Sequence, residues 1–132
     1  MIIGVDPGLH GALAVYDLDD GKLIVVDMPT HELTVNGRKK NRLDMAYLAN
    51  LLDLSPWGKS IERAVVEDVH AMPRQGVASA FTFGHVCGAI QGLLAANFIP
   101  TELVTPRRWK GHYGLTADKD AARAMASRLL PA

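Results

Sequence analysis

The sequence opens with Met1-Ile2-Ile3-Gly4-Val5-Asp6-Pro7-Gly8-Leu9-His10-Gly11, in which a mostly apolar run leads into one carboxylate. The apolar run predicts a buried strand, so we expect Asp6 where that strand meets solvent. Pro7 and Gly8 would turn the chain, and Gly11 would let the backbone pass close to Asp6. A carboxylate at the end of a core strand is costly to bury unless it is hydrogen-bonded, paired or bound to a metal. A turn-initiating aspartate is the alternative at this point.

A second apolar run, Ile61 to Val66, also leads into a carboxylate, Glu67, which Asp68 follows. Parallel neighbouring strands lie about 4.8 Å apart, so such a pair would place Asp6 and Glu67 within reach of one shared cation. Two like charges at that spacing are unfavourable unless something positive lies between them. The repetition therefore favours a metal site over two unrelated surface acids.

The composition fits one ordinary globular domain of 132 residues, of which 48% are hydrophobic and 21% charged. Its 14 cationic and 14 anionic side chains balance, so local clusters of cations would have to attract any nucleic acid. The single cysteine, Cys87, excludes an internal disulfide and is typical of a reducing cytoplasm. A buried structural thiol is favoured over a catalytic one. We expect no signal-like segment at the start and no stretch long enough to span a membrane.

Two further strands, Ala12 to Tyr16 and Lys22 to Met28, are predicted to follow the first one. The turn signal Asp19-Asp20-Gly21 joins them into an antiparallel meander, which Pro29 ends.

The stretch from Thr30 to Asn41 is polar and is predicted to be a loop. It carries Arg38-Lys39-Lys40, with Arg42 just after it, and such a basic run is either solvated or in contact with phosphate. A helix is predicted from Arg42 to Leu54, with Asn41 as its cap and Ser55-Pro56 as its stop.

A long helix is predicted from Val77 to Asn97, with small residues at every fourth position: Ala80, Gly84, Gly88 and Gly92. A glycine inside a helix lowers stability by about 1 kcal/mol relative to alanine. We call this row of small residues the glycine ridge, and we expect close packing against it to compensate for that cost. The packing partner is either the sheet of the same domain or a second copy of the helix.

The last third of the chain predicts a strand from Thr101 to Thr105, a helical turn opened by Pro106, and a final helix from Lys119 to Leu129. Thr116 or Asp118 would cap that final helix.

Three cations, Arg107, Arg108 and Lys110, flank Trp109 in the turn after Pro106. We expect the cations to contact phosphate and Trp109 to anchor the turn to the core.

The order of these elements, with acids ending two strands, looks like the ribonuclease H-like fold. The sequence motifs resemble those of the RuvC family of Holliday junction resolvases, in particular its phage-type and other small bacterial members. The resemblance extends over residues 1 to about 120. Four motifs carry the resemblance: Gly4-Val5-Asp6-Pro7-Gly8, Val65-Val66-Glu67-Asp68-Val69-His70, Phe83-Gly84 followed by Gly88 and Gly92, and Thr105-Pro106 followed by Trp109-Lys110. The resemblance implies a single α/β domain whose mixed sheet has three antiparallel strands followed by parallel ones, flanked by helices.

The resemblance also implies roles for individual residues. Asp6 and Glu67 match metal-binding carboxylates, Lys110 matches a basic residue near the scissile phosphate, and Lys119 is a second such residue. His70 stands where bacterial enzymes carry a base-stacking aromatic. The remaining candidates for DNA contact are Arg38, Lys39, Lys40, Arg74, Arg107 and Arg108.

The implied function is a structure-specific endonuclease that resolves four-way DNA junctions in recombination and repair, in the cytoplasm of a bacterial or phage-infected cell. Asp6 and Glu67 would hold two Mg²⁺ ions about 3.5–4 Å apart, and Mn²⁺ could substitute because the ligands are oxygens. Symmetric cutting would suit a two-fold homodimer, and the resemblance implies dimerisation through helices.

Members of the family carry a further helix with one or two more aspartates, which would begin near Pro131-Ala132. Either the sequence is a truncated form or its metal site is incomplete. An incomplete site would favour a non-cleaving protein that binds branched DNA. A third class, a lobe of an actin-like ATPase or sugar kinase, would need a second lobe, for which 132 residues leave no room.

Overall fold

The structure is a computed structural model and describes residues 1–53 and 58–131. Within these ranges the chain forms seven strands: β1 (Ile2–Asp6), β2 (Ala12–Tyr16), β3 (Leu23–Asp27), β4 (Thr30–Val35), β5 (Arg38–Leu43), β6 (Arg63–Glu67) and β7 (Thr101–Val104). The same ranges contain four helices: α1 (Met45–Leu52), α2 (Val77–Ala96), α3 (Pro106–His112) and α4 (Lys119–Leu129).

Five of the strands form one mixed sheet in the order β3-β2-β1-β6-β7. The first three strands pair antiparallel, and β6 and β7 are parallel to β1. This arrangement confirms the predicted ribonuclease H-like sheet, including the prediction that the two strands ending in carboxylates are parallel neighbours.

The core lies between one face of this sheet and the helices α1 and α2. Alternate residues of the strands point into it, as expected for a sheet with one covered face. The buried strand residues are Ile3, Val5, Leu13, Val15, Ala64 and Val66. The helices contribute the buried side chains of Leu48, Leu51, Leu52, Val86, Ile90 and Leu94.

The predicted polar loop from Thr30 to Asn41 is wrong, because these residues belong to the antiparallel hairpin β4–β5. Its two-residue turn is Asn36-Gly37, with φ angles of 51° and 71°. Positive φ at both central residues is the geometry of the tight turns that match the twist of paired strands. The basic run Arg38-Lys39-Lys40 therefore lies on a strand rather than in a loop.

Helix α1 is shorter than the prediction, because Arg42 and Leu43 still pair with β4. The helix begins at Met45, and its cap is Asp44, whose side chain accepts a 2.9 Å hydrogen bond from the backbone N–H of Tyr47. Asn41 is therefore not the cap. The predicted end at Leu54 and the stop at Ser55-Pro56 lie outside the described residues.

Helix α2 confirms the predicted long helix, but its glycine ridge does not pack on the sheet. A Cβ atom added at Gly84, Gly88 or Gly92 would meet no atom of the described residues within 4 Å. The alternative of packing within the domain is therefore wrong, and packing on a second copy stays a prediction. By length and composition this 20-residue helix could also cross a membrane, so the expectation that no stretch is long enough is wrong on those criteria.

The C-terminal elements follow the predictions closely. Thr105 caps α3, with Pro106 in the first turn, and its side chain accepts from the backbone N–H of Arg108. Asp118 caps α4 by accepting from the backbone N–H groups of Asp120 and Ala121. Of the two predicted caps for α4, the structure thus selects Asp118.

Candidate active site

Asp6 and Glu67 lie side by side at the carboxyl edge of the sheet. Val5 pairs with Val66 in the parallel register, and each carboxylate is the next residue of its strand. Because Val5 and Val66 point into the core, the alternation of a strand directs both carboxylates to the opposite face. There they line a cavity of about 290 Å³ together with Val5, Val65, Val104 and Trp109.

The turn after β1 depends on glycine. Gly8 has a φ of +126°, and its carbonyl accepts a 3.2 Å hydrogen bond from the N–H of Gly11. A Cβ at Gly11 would overlap the carbonyl oxygen of Asp6 and lie 2.8 Å from its carbonyl carbon. The sequence predicted that Gly11 lets the backbone pass close to the Asp6 carboxylate. The structure shows that the close approach is to the backbone carbonyl of Asp6.

The carboxyl group of Asp6 has a raised pKa. The side chain is partly accessible, yet the surrounding protein removes enough water from the carboxyl to disfavour its charged form, and this desolvation is the largest cause. The negative charge of Glu67 raises the pKa further, whereas the ammonium group of Lys119 lowers it. The electrostatics therefore favour a cation beside Asp6, and the charge of Lys119, at the start of α4, contributes in the same sense.

Trp109 makes a contact that the sequence analysis missed. Its indole Nε1 donates a 2.8 Å hydrogen bond to Oε1 of Glu67. The Nζ of Lys110 lies 5.3 Å from the centroid of the Trp109 ring, within the range of a cation–π interaction. Trp109 is therefore more than an anchor of its turn. The sequence offered one general indication of this contact: the indole N–H of a partly buried tryptophan usually finds a hydrogen-bond acceptor.

Two carboxylates form the donor set of this site. Within residues 1–53 and 58–131 no group of three or more His, Cys, Asp or Glu side chains could hold a metal ion. Mg²⁺ usually keeps several waters and is bound through one or two carboxylates plus substrate phosphates. Asp6 and Glu67 thus fit a Mg²⁺ ion that shares its remaining ligands with water or substrate.

The basic hairpin leaves the sheet at the same edge as the carboxylates. Asp6, Ala12 and Asp27 are in register across three strands, and β4 begins three residues after Asp27. Arg38, Lys39 and Lys40 are all exposed, as a DNA contact requires. Lys39 also forms a 2.9 Å ion pair with Glu32 on the partner strand of the hairpin.

The other predicted DNA contacts lie on two segments of the chain. His70 and Arg74 are exposed in the segment between β6 and α2, and Nε2 of His70 lies 3.9 Å from Oδ2 of Asp68. Arg107 and Arg108 are exposed on the first turn of α3, and Arg108 forms a 3.0 Å ion pair with Glu102. The structure thus brings Asp6 and Glu67 together in one cavity, and Lys119 influences Asp6 electrostatically. The role of the exposed cations in DNA contact stays a prediction.

Cys87 has the environment of a structural thiol. It is half-buried on α2, and burial together with the negative charge of Asp68 raises its pKa. A thiol with a raised pKa is a poor nucleophile at neutral pH, which agrees with the structural role predicted from the sequence.

The mixed sheet with two strand-end carboxylates defines a ribonuclease H-like fold of the RuvC type, and solved structures agree. One, described as T. thermophilus RuvC in complex with Holliday junction substrate, matches with a TM-score of 0.62 and 18% identity, covering 98% of this chain and 78% of that one. Another, described as Thermus thermophilus RuvC, matches with a TM-score of 0.59 and 16% identity, covering 98% and 79%. No protein family and no curated protein matches the sequence.

Proposed function

We propose that this protein is a divalent-metal-dependent DNA endonuclease that cuts four-way junctions. The observation that carries the proposal is the placement of Asp6 and Glu67 at adjacent strand ends, in a cavity that Lys119 influences electrostatically. The RuvC-type fold supports the choice of substrate, because one similar structure contains a Holliday junction.

Asp6 and Glu67 would hold Mg²⁺, or Mn²⁺ in its place. Such an ion supplies an activated water and stabilises the charge that develops on a phosphate under attack. The two carboxylates, which line the cavity, would hold the ion there. Lys119, whose charge acts on Asp6, and Lys110, over the ring of Trp109, would supply positive charge for the phosphate oxygens.

DNA arms would be held by the exposed cations around this edge. The hairpin residues Arg38 and Lys40 and the first-turn residue Arg107 are exposed. Such contacts position the backbone without reading sequence. His70 could stack on an unpaired base near the junction centre, although an imidazole offers less area than a larger aromatic ring.

We also propose a homodimer that packs through α2. The outward side of this helix presents the glycine ridge with Val77 and Phe81, whose side chains are 88% and 76% exposed. Helix α2 contains no charged residue. Beside it runs a groove of about 870 Å³, whose apolar lining includes Leu33 of the hairpin and Met45 of α1. An exposed apolar surface of this kind is typical of an interface.

A second candidate function is a junction-binding protein that does not cut. It is favoured by the presence of only two site carboxylates in the described part of the chain. The test is to incubate the protein with a synthetic four-way junction and with a duplex of equal length, with Mg²⁺ and with EDTA. Paired incision of the junction with Mg²⁺ alone supports the nuclease. Tight, junction-selective binding without incision supports the second function.

A further inference from the structure

Trp109 lies between two residues of the proposed nuclease site and contacts both. The indole Nε1 donates a hydrogen bond to Oε1 of Glu67 at 2.8 Å, and Nζ of Lys110 lies over the ring, 5.3 Å from its centroid. Glu67 is on β6 and Trp109 is on α3, so this hydrogen bond links two elements that are 42 residues apart in sequence. The contact is part of the cavity wall, since both side chains line it.

From this geometry we propose that Trp109 is a positioning residue, which fixes the Glu67 carboxylate for Mg²⁺. The inference rests on the proposed function, because it assigns Glu67 to the metal. A carboxylate can accept about four hydrogen bonds or metal contacts, and the indole uses one of them on Oε1. The other oxygen, Oε2, stays available for an ion shared with Asp6.

The physical reason is preorganisation. A glutamate side chain has several rotatable bonds, and ordering it on metal binding costs conformational entropy. The indole N–H restricts Glu67 before the ion arrives, in the way that outer groups orient metal ligands elsewhere. The donor is neutral and, unlike a lysine, does not compete with the ion by cancelling the carboxylate charge.

The first test needs no catalysis. In the ¹H–¹⁵N spectrum of the metal-free protein, the indole resonance of Trp109 is assigned by its loss in Trp109→Phe. We expect this resonance to move upfield in Glu67→Gln, because a hydrogen bond to a charged acceptor is replaced by a weaker one. Addition of Mg²⁺ should shift the wild-type resonance and leave that of Glu67→Gln in place. An indole resonance of Trp109 that does not respond to Glu67→Gln would overturn the proposal. If Trp109→Phe does not fold, Trp57→Phe removes the other indole of the chain and gives the same assignment.

The second test measures Mg²⁺ affinity by calorimetry for wild type, Trp109→Phe and the control Tyr113→Phe. Phenylalanine keeps a ring but removes the donor, so we expect affinity to fall about 10–100-fold, the usual loss for such outer groups. Tyr113→Phe removes a hydroxyl at the end of α3 and should bind Mg²⁺ like wild type. Equal affinity in Trp109→Phe and wild type, or no Mg²⁺ binding by wild type, would overturn the proposal.

Cleavage of a four-way junction is assayed separately. A protein whose Mg²⁺ affinity depends on Trp109 but which cuts no DNA would support this inference and contradict the proposed nuclease. Failure of the positioning role of Trp109 and failure of the proposed nuclease function therefore give different results.

Discussion

The α-carbon of Gly11 faces the carbonyl group of Asp6 so closely that a Cβ atom there would lie 2.8 Å from the Asp6 carbonyl carbon. We therefore expect Gly11→Ala to push the turn away from the end of β1. The free energy of unfolding should fall by about 3 kcal/mol or more, as for severe overpacking, and Mg²⁺ affinity should fall with it. Urea unfolding and calorimetry measure the two effects.

The control for that variant is Gly76→Ala, where an added Cβ meets no described atom within 4 Å. Gly76 is the N-cap of α2, where alanine is less favoured than glycine, but alanine also lowers the entropy of the unfolded chain. These effects oppose each other, so the free energy of unfolding should change by less than about 1 kcal/mol. A Gly11→Ala protein as stable as this control would show that the turn adapts without cost.

Asp6→Asn should abolish Mg²⁺-dependent cleavage but should not reduce stability in metal-free buffer. The folded-state pKa of Asp6 is raised above its ordinary value of 3.8. The folded protein therefore binds the proton more tightly than the unfolded chain, and its stability falls as pH rises through the interval between the two pKa values. The variant escapes this loss, so its advantage is full at neutral pH and disappears as pH falls toward 3.8.

Thermal unfolding of wild type and Asp6→Asn in EDTA, followed from neutral to acidic pH, measures this difference. A variant that is less stable than wild type at neutral pH without metal would contradict the assigned pKa direction. Added Mg²⁺ should reverse the order, because only the wild type gains from binding the ion.

Replacing Arg38, Lys39 and Lys40 together by glutamine should weaken binding to a four-way junction and reduce its salt dependence. Each lost phosphate contact lowers the slope of log affinity against log salt by about 0.9. Fluorescence anisotropy over a range of salt concentrations measures the slope. Lys22→Gln is the control, because Lys22 precedes β3 at the opposite edge of the sheet. An unchanged slope in the triple variant would show that the hairpin is merely solvated.

The sequence predicted the main sheet well because four of its five strands, all but β7, contain short apolar runs bounded by turn residues or carboxylates. It also predicted that Asp6 and Glu67 meet, since parallel strands end at one edge. The hairpin was not predicted because β5 is Arg-Lys-Lys-Asn-Arg-Leu, which lacks the alternation of apolar and polar residues that indicates a strand. The Asn36-Gly37 pair was the usable signal, because it favours a two-residue hairpin turn.

Other features could not be predicted from local pattern. The start of α1 depends on a competition between helix and hairpin. Arg42 and Leu43 pair with β4 in the hairpin and are therefore not part of the helix. The hydrogen bond from Trp109 to Glu67 joins residues on separate elements, and no spacing in the sequence encodes it. Such contacts are fixed by how α3 packs against the sheet edge.

Phe98→Gly should stabilise the protein. Phe98 has a φ of +56°, and its N–H bonds to the carbonyl of Ala95 while the N–H of Ile99 bonds to that of Leu94. These are the two hydrogen bonds of a helix end that usually places glycine in the left-handed position. The Phe98 side chain is 93% exposed, so little burial is lost.

We expect a gain of about 0.5–1 kcal/mol for Phe98→Gly, the backbone strain relieved minus the entropy that glycine adds to the unfolded chain. Urea unfolding of this variant is compared with Phe98→Ala, which loses the same ring but keeps a Cβ. A Phe98→Gly protein that is no more stable than Phe98→Ala would contradict the prediction, because the strain relieved would then not exceed the entropy cost of glycine.

Gly88→Leu should produce a folded monomer. A Cβ at Gly88 meets no described atom within 4 Å, so the larger side chain has room within the single chain. Helix propensity even favours the change, by nearly 1 kcal/mol.

In the proposed dimer the same side chain would separate the two packed copies of α2. We therefore expect wild type to sediment as a dimer and Gly88→Leu as a monomer with an intact far-ultraviolet spectrum. Paired incision of the junction should be lost, while binding to a single arm remains.

Gly111→Ala is the control, because it also adds a Cβ into open space but lies on α3. A wild type that sediments as a monomer at tens of micromolar, or a Gly88→Leu protein that stays dimeric, would contradict the assignment of α2 to the interface.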